Sequence, residues 1–228
     1  MKVKDELFSL ERISRVSQAF EKMGCAQLQD ASSEHTHVLN LPIVCRTPRK
    51  RMAGPVFPVE TANDMLPCLQ ALDQAPPGSI LFIQNTAEQS EALAGDIFVT
   101  AAYQQGLGGL IVNGAVRDID FLPELNFPVF SRSVTYVSAK TAEIPAVKLP
   151  CSIYLGTFLL EPGDWIFGDS DGLLLIKQKH LSAVFAAATV LRDREETLKT
   201  ALLKGQRLGV ICGLEDFLAG RGELKFEG

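Results

Sequence analysis

Glu91-Ala-Leu-Ala-Gly-Asp-Ile-Phe98 leads through a predicted helix into Leu110-Ile-Val-Asn-Gly-Ala-Val-Arg-Asp118, and this stretch decides the fold. Small and apolar residues over 91–105 predict a helix that packs on a sheet and stops at a glycine-rich turn. Apolar runs at 80–83 and 110–112 predict a buried strand on each side. Because crossover connections are right-handed, the two strands are expected to be parallel, with both following loops at one sheet edge.

Three charged residues are expected to meet at that edge. Asp96 lies near the start of the predicted helix, and Arg117 and Asp118 follow the second strand. Open α/β sheets bind ligands at the carboxyl ends of their strands, so these side chains are candidates for a functional site. The competing interpretation is structural: Arg117 and Asp118 form a surface ion pair, and Asp96 caps a helix.

An Asp followed after twenty residues by Arg-Asp resembles the signature of one family. This family contains the 4-hydroxy-4-methyl-2-oxoglutarate aldolases and the RraA-type regulators of ribonuclease activity. Further family landmarks occur in family order: Leu28-Gln-Asp-Ala31, Gly114-Ala-Val-Arg-Asp118, Phe127-Pro-Val-Phe130 and Glu161-Pro-Gly-Asp-Trp-Ile-Phe-Gly-Asp-Ser-Asp-Gly172. The resemblance covers residues 20–205. It departs from the family at Asn113, where the family usually has Asp, and over the polar segment 84–90.

The resemblance implies one RraA-like domain over 1–228, with an α/β fold of the swivelling β/β/α type. An N-terminal helix is expected at about 8–22, and a long C-terminal helix and tail at about 181–228. The family further implies a homotrimer or a hexamer built from two trimers. Its sites lie between subunits.

The resemblance also assigns roles to individual residues. Asp118 is the direct metal ligand, and Asp96 holds a metal-bound water. The pyruvyl unit is bound by Arg117 and by the backbone at the helix start, namely Gly95, Asp96, Ile97 and Phe98. A Glu from the C-terminal helix of a neighbouring subunit reaches the metal through water. Glu195 is the closest match for this residue, and Glu196 is the alternative.

The residue inventory favours a metal over a covalent intermediate. Cleavage next to a keto acid requires that the charge of a pyruvate enolate be held, either by a lysine Schiff base or by a divalent metal. No lysine occurs between Lys50 and Lys140. Asp118 and Asp96 are oxygen ligands of the kind that Mg²⁺ or Mn²⁺ takes, and the guanidinium of Arg117 suits a substrate carboxylate.

The predicted function is therefore a divalent-metal-dependent lyase that releases pyruvate. Its reaction is retro-aldol cleavage of a 4-hydroxy-2-keto acid, decarboxylation of oxaloacetate, or both. The alternative is a non-catalytic regulator that binds a ribonuclease. A methyltransferase lacks support, since no glycine-rich turn from a strand into a helix is followed by an acidic residue.

Composition bounds the remaining function classes. The chain has 228 residues, 46% of them hydrophobic, which suits one soluble domain, and its formal net charge of -5 offers no basic field for nucleic acid. No apolar run approaches the ~18 residues that span a bilayer. Five widely spaced cysteines form no CxxC pair and are expected to be reduced. These features predict a cytoplasmic protein with no nucleic-acid or membrane partner.

Elsewhere the hydrophobic periodicity predicts alternating elements. Helices are expected over the first ~20 residues and over 24–31, 61–74 and 181–204, with a helical turn at 121–125. Strands are expected at 39–45, 128–130, 146–149, 158–160, 165–167 and 173–176.

Overall fold

The computed structural model describes residues 8–49, 51–141 and 149–225. The helices are α1 (Leu10–Phe20), α2 (Cys25–Ala31), α3 (Met65–Gln74), α4 (Asp96–Gln104), α5 (Leu181–Leu203), α6 (Leu208–Ile211) and α7 (Leu214–Leu218). The strands are β1 (Thr36–Val38), β2 (Val44–Cys45), β3 (Met52–Thr61), β4 (Ile80–Asn85), β5 (Gly109–Val116), β6 (Val129–Val134), β7 (Ile153–Leu155), β8 (Phe158–Leu160), β9 (Trp165–Gly168) and β10 (Leu173–Ile176). Single 3-10 turns lie at Leu122–Glu124 and Gln178–His180.

One mixed sheet organises the molecule. Its strand order is β1-β10-β9-β3-β4-β5-β6-β2, and β7 and β8 form a separate hairpin. The four strands β3 to β6 are parallel, whereas β1, β2, β9 and β10 run antiparallel to their neighbours. The predicted parallel pairing of the strands before and after α4 is confirmed. The loops after β4 and β5 therefore open at the same edge.

Apolar packing covers both faces of the sheet. Helices α3 and α4 pack on one face of the parallel strands through Leu72, Leu81, Val99 and Leu110. The opposite face packs against the β7–β8 hairpin through Phe82, Ile111 and Leu160. Helices α1, α2 and α5 form a second layer on β9 and β10, with Phe20, Leu28, Trp165, Phe167 and Val184 at its centre. The predicted mixed α/β domain with a long C-terminal helix is confirmed.

The helix predicted over 91–105 begins later than expected, since α4 starts at Asp96. Residues before it are extended and lie beside β5 and the segment 137–139. The amide of Ala92 donates to the carbonyl of Val137, and that of Leu93 donates to the carbonyl of Ala115. These contacts are distant in sequence, so local apolar spacing could not reveal them.

Three further elements differ from the prediction. The longest strand, β3, was not predicted, because Pro55 and Pro58 lack the N–H that a central strand normally uses. The helix expected over 61–74 begins only at Met65, where the Asp64 carboxylate caps it by accepting from the amide of Leu66. The strand expected at 39–45 is wrong over most of its length, since only β2 lies there. The strand expected at 146–149 falls on residues outside the described ranges, apart from its last position.

The described residues include no helix with both the length and the apolar character that crossing a bilayer requires. All five cysteines are free thiols, as the sequence predicted.

Candidate active site

The chain before α4 and the chain after β5 run side by side at the carboxyl edge of the sheet. The amide of Arg117 donates to the carbonyl of Ala94 at 3.0 Å. Gly95 then supplies the extended N-cap of α4. This pairing brings Gly95 and Asp96 against Arg117 and Asp118, as the crossover argument predicted.

Asp118 is the centre of this arrangement. Its Oδ2 lies 3.3 Å from Nε of Arg117 and accepts from the amide of Asp96 at 3.4 Å. The carboxylate of Asp96 turns back on its own helix, where Oδ1 accepts from the amide of Ile97 at 2.7 Å. Asp96 is the first residue of α4, after the Gly95 cap, so its carboxylate accepts from an amide inside the first turn and is not the helix cap. Two carboxylates and one guanidinium meet at the first turn of α4.

Only glycine fits at position 95. A Cβ atom there would lie 2.4 Å from Oδ2 of Asp118 and 3.0 and 3.1 Å from Cγ and Nε of Arg117. Real Cβ atoms do not approach other atoms to 2.4 Å, so a side chain would displace both charged residues. Gly95 thus sets the distance between the helix start and the Arg117-Asp118 pair.

The backbone of Asp118 is strained, with φ of 60° in the left-handed region. Non-glycine residues adopt this conformation rarely, and such residues cluster at functional sites. Within the part of the chain that the structure describes, Oδ1 of Asp118 makes no hydrogen bond. The side chain is 31% exposed. Asp118 therefore has acceptor capacity that these neighbours do not use.

A cleft of about 260 Å³ opens beside these residues. It is lined by Arg117, Ser138, Met65, Leu69, Leu72, Ala92, Ala94, Gly95, Asp96, Ile97, Phe98 and Ala101. All the predicted substrate-binding residues, from Gly95 to Phe98 together with Arg117, line this cleft. The wall from α3 was missed, because apolar residues at helical spacing indicate core packing. Leu69 is in fact 48% exposed, so that spacing marks a cleft wall as well as a core.

Glu195 and Glu196 do not reach the cleft of their own chain. The Glu195 carboxylate accepts from Nε2 of Gln27, which lies on α2. Glu196 pairs with Lys199 one turn further along α5. Helix α5 instead packs on α2, in the layer over β9 and β10. The sequence prediction that Glu195 serves a neighbouring subunit stays a prediction.

The donor set at the cleft suits a hard cation. Asp118 offers an oxygen without a hydrogen-bond partner among the described residues, and Asp96 lies one contact away. No group of three His, Cys, Asp or Glu side chains that could hold a metal occurs in the described ranges. Mg²⁺ is commonly bound by one or two carboxylates and keeps several waters. The residues present therefore fit a divalent ion that takes oxygen ligands.

Helix α3, which forms one wall of the cleft, also carries a thiol. Cys68 is fully buried in α3, and burial, followed by the charge of Asp64, raises its pKa to about 12. The thiolate that covalent catalysis needs is then scarce at neutral pH.

The two departures from the family pattern lie next to each other. Gln84 and Asn113 face each other across β4 and β5, and Nδ2 of Asn113 donates to Oε1 of Gln84 at 2.8 Å. Oδ1 of Asn113 is buried and has no partner in the described ranges. Neither residue lines the cleft.

Comparisons with known proteins identify relatives of this chain. A protein of Halalkalibacterium halodurans, provisionally named a 4-hydroxy-4-methyl-2-oxoglutarate aldolase, is 33% identical over 153 residues, which are 67% of this chain and 72% of that protein. This relative is a lyase by name.

Two solved structures share the fold. A structure described as an S-adenosylmethionine:2-dimethylmenaquinone methyltransferase from Geobacillus kaustophilus superposes with a TM-score of 0.65 at 26% identity, covering 70% of this chain and 98% of that one. The RNA-processing inhibitor RraA from Thermus thermophilus superposes with a TM-score of 0.62 at 24% identity, covering 68% of this chain and 92% of that one. The names attached to this fold therefore differ widely in function.

The family model that matches describes the RraA-like family as aldolase/RraA and aligns with residues 25–175. That span contains α2, the whole parallel sheet and every residue that lines the cleft. The chain therefore belongs to the aldolase/RraA family.

Proposed function

We propose that this chain is a divalent-metal-dependent lyase that releases pyruvate. Its substrate would be a 4-hydroxy-2-keto acid, cleaved by a retro-aldol reaction, or oxaloacetate, cleaved by decarboxylation. One observation carries the proposal: the start of α4 and the guanidinium of Arg117 line one cleft, and the carboxylate of Asp118 contacts both of them. The aldolase name of the Halalkalibacterium halodurans relative supports the same class.

Arg117 would bind and orient the substrate carboxylate. Its guanidinium is about one-third exposed and lines the cleft, so it can form the paired hydrogen bonds that a carboxylate accepts. The start of α4 adds partial positive charge at the same place, although the amides of Asp96 and Ile97 already donate to the carboxylates of Asp118 and Asp96. Together these groups would hold the pyruvyl unit in a fixed pose, which is itself a large part of catalysis.

Asp118 would bind the metal, and Asp96 would accept and return a proton during the reaction. Mg²⁺ or Mn²⁺ bound there supplies a Lewis acid for the negative charge that develops on the keto acid. The Asp96 carboxylate is tied to the helix through one oxygen only, so the other can accept or return a proton. A carboxylate in this position is a reasonable general base, because it lies beside the cleft and remains partly exposed.

We also propose that the active species is a homo-oligomer, either a trimer or a hexamer. The family resemblance implies sites between subunits, and Glu195 lies on a helix that packs away from the cleft of its own chain. In an assembly, that helix could present Glu195 to the site of a neighbour. The mass of the purified chain by light scattering tests this part of the proposal.

The test of function is pyruvate release measured with a coupled lactate dehydrogenase assay. Oxaloacetate and 4-hydroxy-4-methyl-2-oxoglutarate are supplied separately, and the metal without protein is the control for spontaneous decay. We expect release that disappears in excess EDTA and returns with Mg²⁺ or Mn²⁺. Release that persists in EDTA would contradict the metal assignment. The absence of release with any metal, together with inhibition of a ribonuclease, would favour the regulator.

A further inference from the structure

The cleft beside α4 has two chemically different ends. At one end lie Arg117, Gly95 and Asp96, which carry the charge and the polar backbone. The other wall comes from α3, with Met65, Leu69 and Leu72 lining it. Phe98 and Ala101 of α4 continue this apolar surface. A ligand held at Arg117 therefore extends along hydrocarbon.

Cationic groups are scarce along this path. Among the described residues that line the cleft, Arg117 is the sole cation, and Ser138 is the sole hydroxyl. Arg117 is already paired with Asp118 at 3.3 Å. Lys140 is exposed and lies nearby, but its contact with α3 is through its backbone carbonyl, which accepts from the amide of Met65. Once a first carboxylate occupies Arg117, no second cation remains among the described residues that one chain contributes to this lining.

From this lining we infer the substrate class, an inference that rests on the proposed function. The substrate is a 2-keto acid whose group beyond C4 is an uncharged short alkyl chain rather than a second carboxylate. A second carboxylate would lose its water against Leu69 and Leu72 without a partner, which is costly. An alkyl group would bury apolar surface there instead.

This substrate class differs from the one in the name of the Halalkalibacterium halodurans relative, because 4-hydroxy-4-methyl-2-oxoglutarate carries two carboxylates. The cleft is also small, at about 260 Å³. Pockets for drug-sized ligands run from ~300 to 1,000 Å³. A pyruvyl unit with an extension of a few atoms, charged or uncharged, is therefore the size that fits.

Binding of two matched ligands tests the inference without requiring turnover. In 5-methyl-2-oxohexanoate an isopropyl group replaces the terminal carboxylate of 2-oxoglutarate, so the two differ in charge and hardly in shape. Each is titrated calorimetrically into the full chain with Mg²⁺, and pyruvate is titrated as a reference for the shared unit. We expect the alkyl acid to bind at least ~10-fold more tightly, a typical discrimination by an apolar pocket.

The outcomes separate this inference from the proposed function. If pyruvate binds and 2-oxoglutarate binds as tightly as the alkyl acid, the substrate class is wrong and the proposed site stands. If none of the three ligands binds, both the substrate class and the proposed site are wrong.

A charge placed in the apolar wall gives a second test. Leu69→Arg puts a cation on the exposed side of α3, where it need not disturb the core. We expect it to shift the ratio of the two affinities at least ~10-fold toward 2-oxoglutarate, since the new cation can pair with the second carboxylate. Leu10→Arg is the matched control, because Leu10 is exposed on α1 and touches Gly78 at the opposite end of β4. An unchanged ratio in Leu69→Arg would overturn the inference.

Discussion

Two helices of this chain, α2 and α4, begin with the same arrangement of a glycine and a distant carboxylate, but the two carboxylates differ in their remaining contacts. Helix α2 starts after Gly24, and the amide of Cys25 donates to Oδ2 of Asp169 at 2.7 Å. Helix α4 starts after Gly95, and its first amide donates to Oδ2 of Asp118 at 3.4 Å. In each case a glycine precedes the helix, and a carboxylate from a distant loop accepts from the first amide of the helix.

The difference is how completely the fold satisfies each carboxylate. Asp169 is 7% exposed, and its second oxygen accepts from the amide of Asp171. Asp118 is partly exposed. Its Oδ2 lies 3.3 Å from Nε of Arg117 and 3.4 Å from the amide of Asp96, and its Oδ1 accepts no hydrogen bond from the described residues. Asp169, which has an amide partner on each oxygen, holds a turn in place. Asp118, which has unused acceptor capacity, is available to a ligand.

A large effect is expected from adding one methyl group at Gly95. In Gly95→Ala the new Cβ would push Asp118 and Arg117 apart, and small misplacements of reacting groups cost ~10²-fold in rate. We expect pyruvate release to fall about a hundredfold. Gly24→Ala is the matched control, because its Cβ would lie 3.5 Å from Oδ2 of Asp169, an ordinary contact.

Steady-state kinetics of both variants, with circular dichroism to confirm folding, make the comparison. Equal activity in the two variants would mean that the spacing at α4 has no special role.

The sequence predicted the charged end of the site well. Asp96, Arg117 and Asp118 meet where the crossover rule expected, because parallel strands fix which loops share an edge. The start of α4 was predicted five residues too early. The cause is the pairing of residues 92–94 with β5, a contact between segments that no local pattern records.

The apolar features were harder to predict. Strand β3 is the longest in the sheet, yet Pro55 and Pro58 argued against it. The fold tolerates these prolines because other backbone groups of β3 form hydrogen bonds with distant segments. The amide of Val56 donates to the carbonyl of Asp164, and the carbonyl of Pro58 accepts from the amide of Cys151. The cleft wall on α3 has the same spacing as a core face, so only exposure in three dimensions distinguishes it.

A smaller effect is expected on the free energy of unfolding. Here the substitution of Asp169 is expected to cost more than the substitution of Asp118. Asp169→Asn leaves one oxygen for the buried amide of Cys25 and the part-buried amide of Asp171, so one donor loses its partner at a cost of ~1–3 kcal/mol. Asp118→Asn should cost under ~1 kcal/mol, because its ion pair with Arg117 is partly exposed. Urea unfolding with linear extrapolation gives both free energies. A larger loss in Asp118→Asn would contradict the distinction between the two sites.

The most direct test of the central claim is a calorimetric titration of Mn²⁺ into the parent chain, Asp118→Asn and Asp96→Asn. We assign metal binding to Asp118 and proton transfer to Asp96. We therefore expect Asp96→Asn to bind within ~10-fold of the parent while losing ~100-fold or more in kcat. Asp118→Asn is expected to lose measurable binding, since a neutral amide replaces the anionic ligand. Parent-like affinity in Asp118→Asn, with binding abolished in Asp96→Asn, would reverse the two roles.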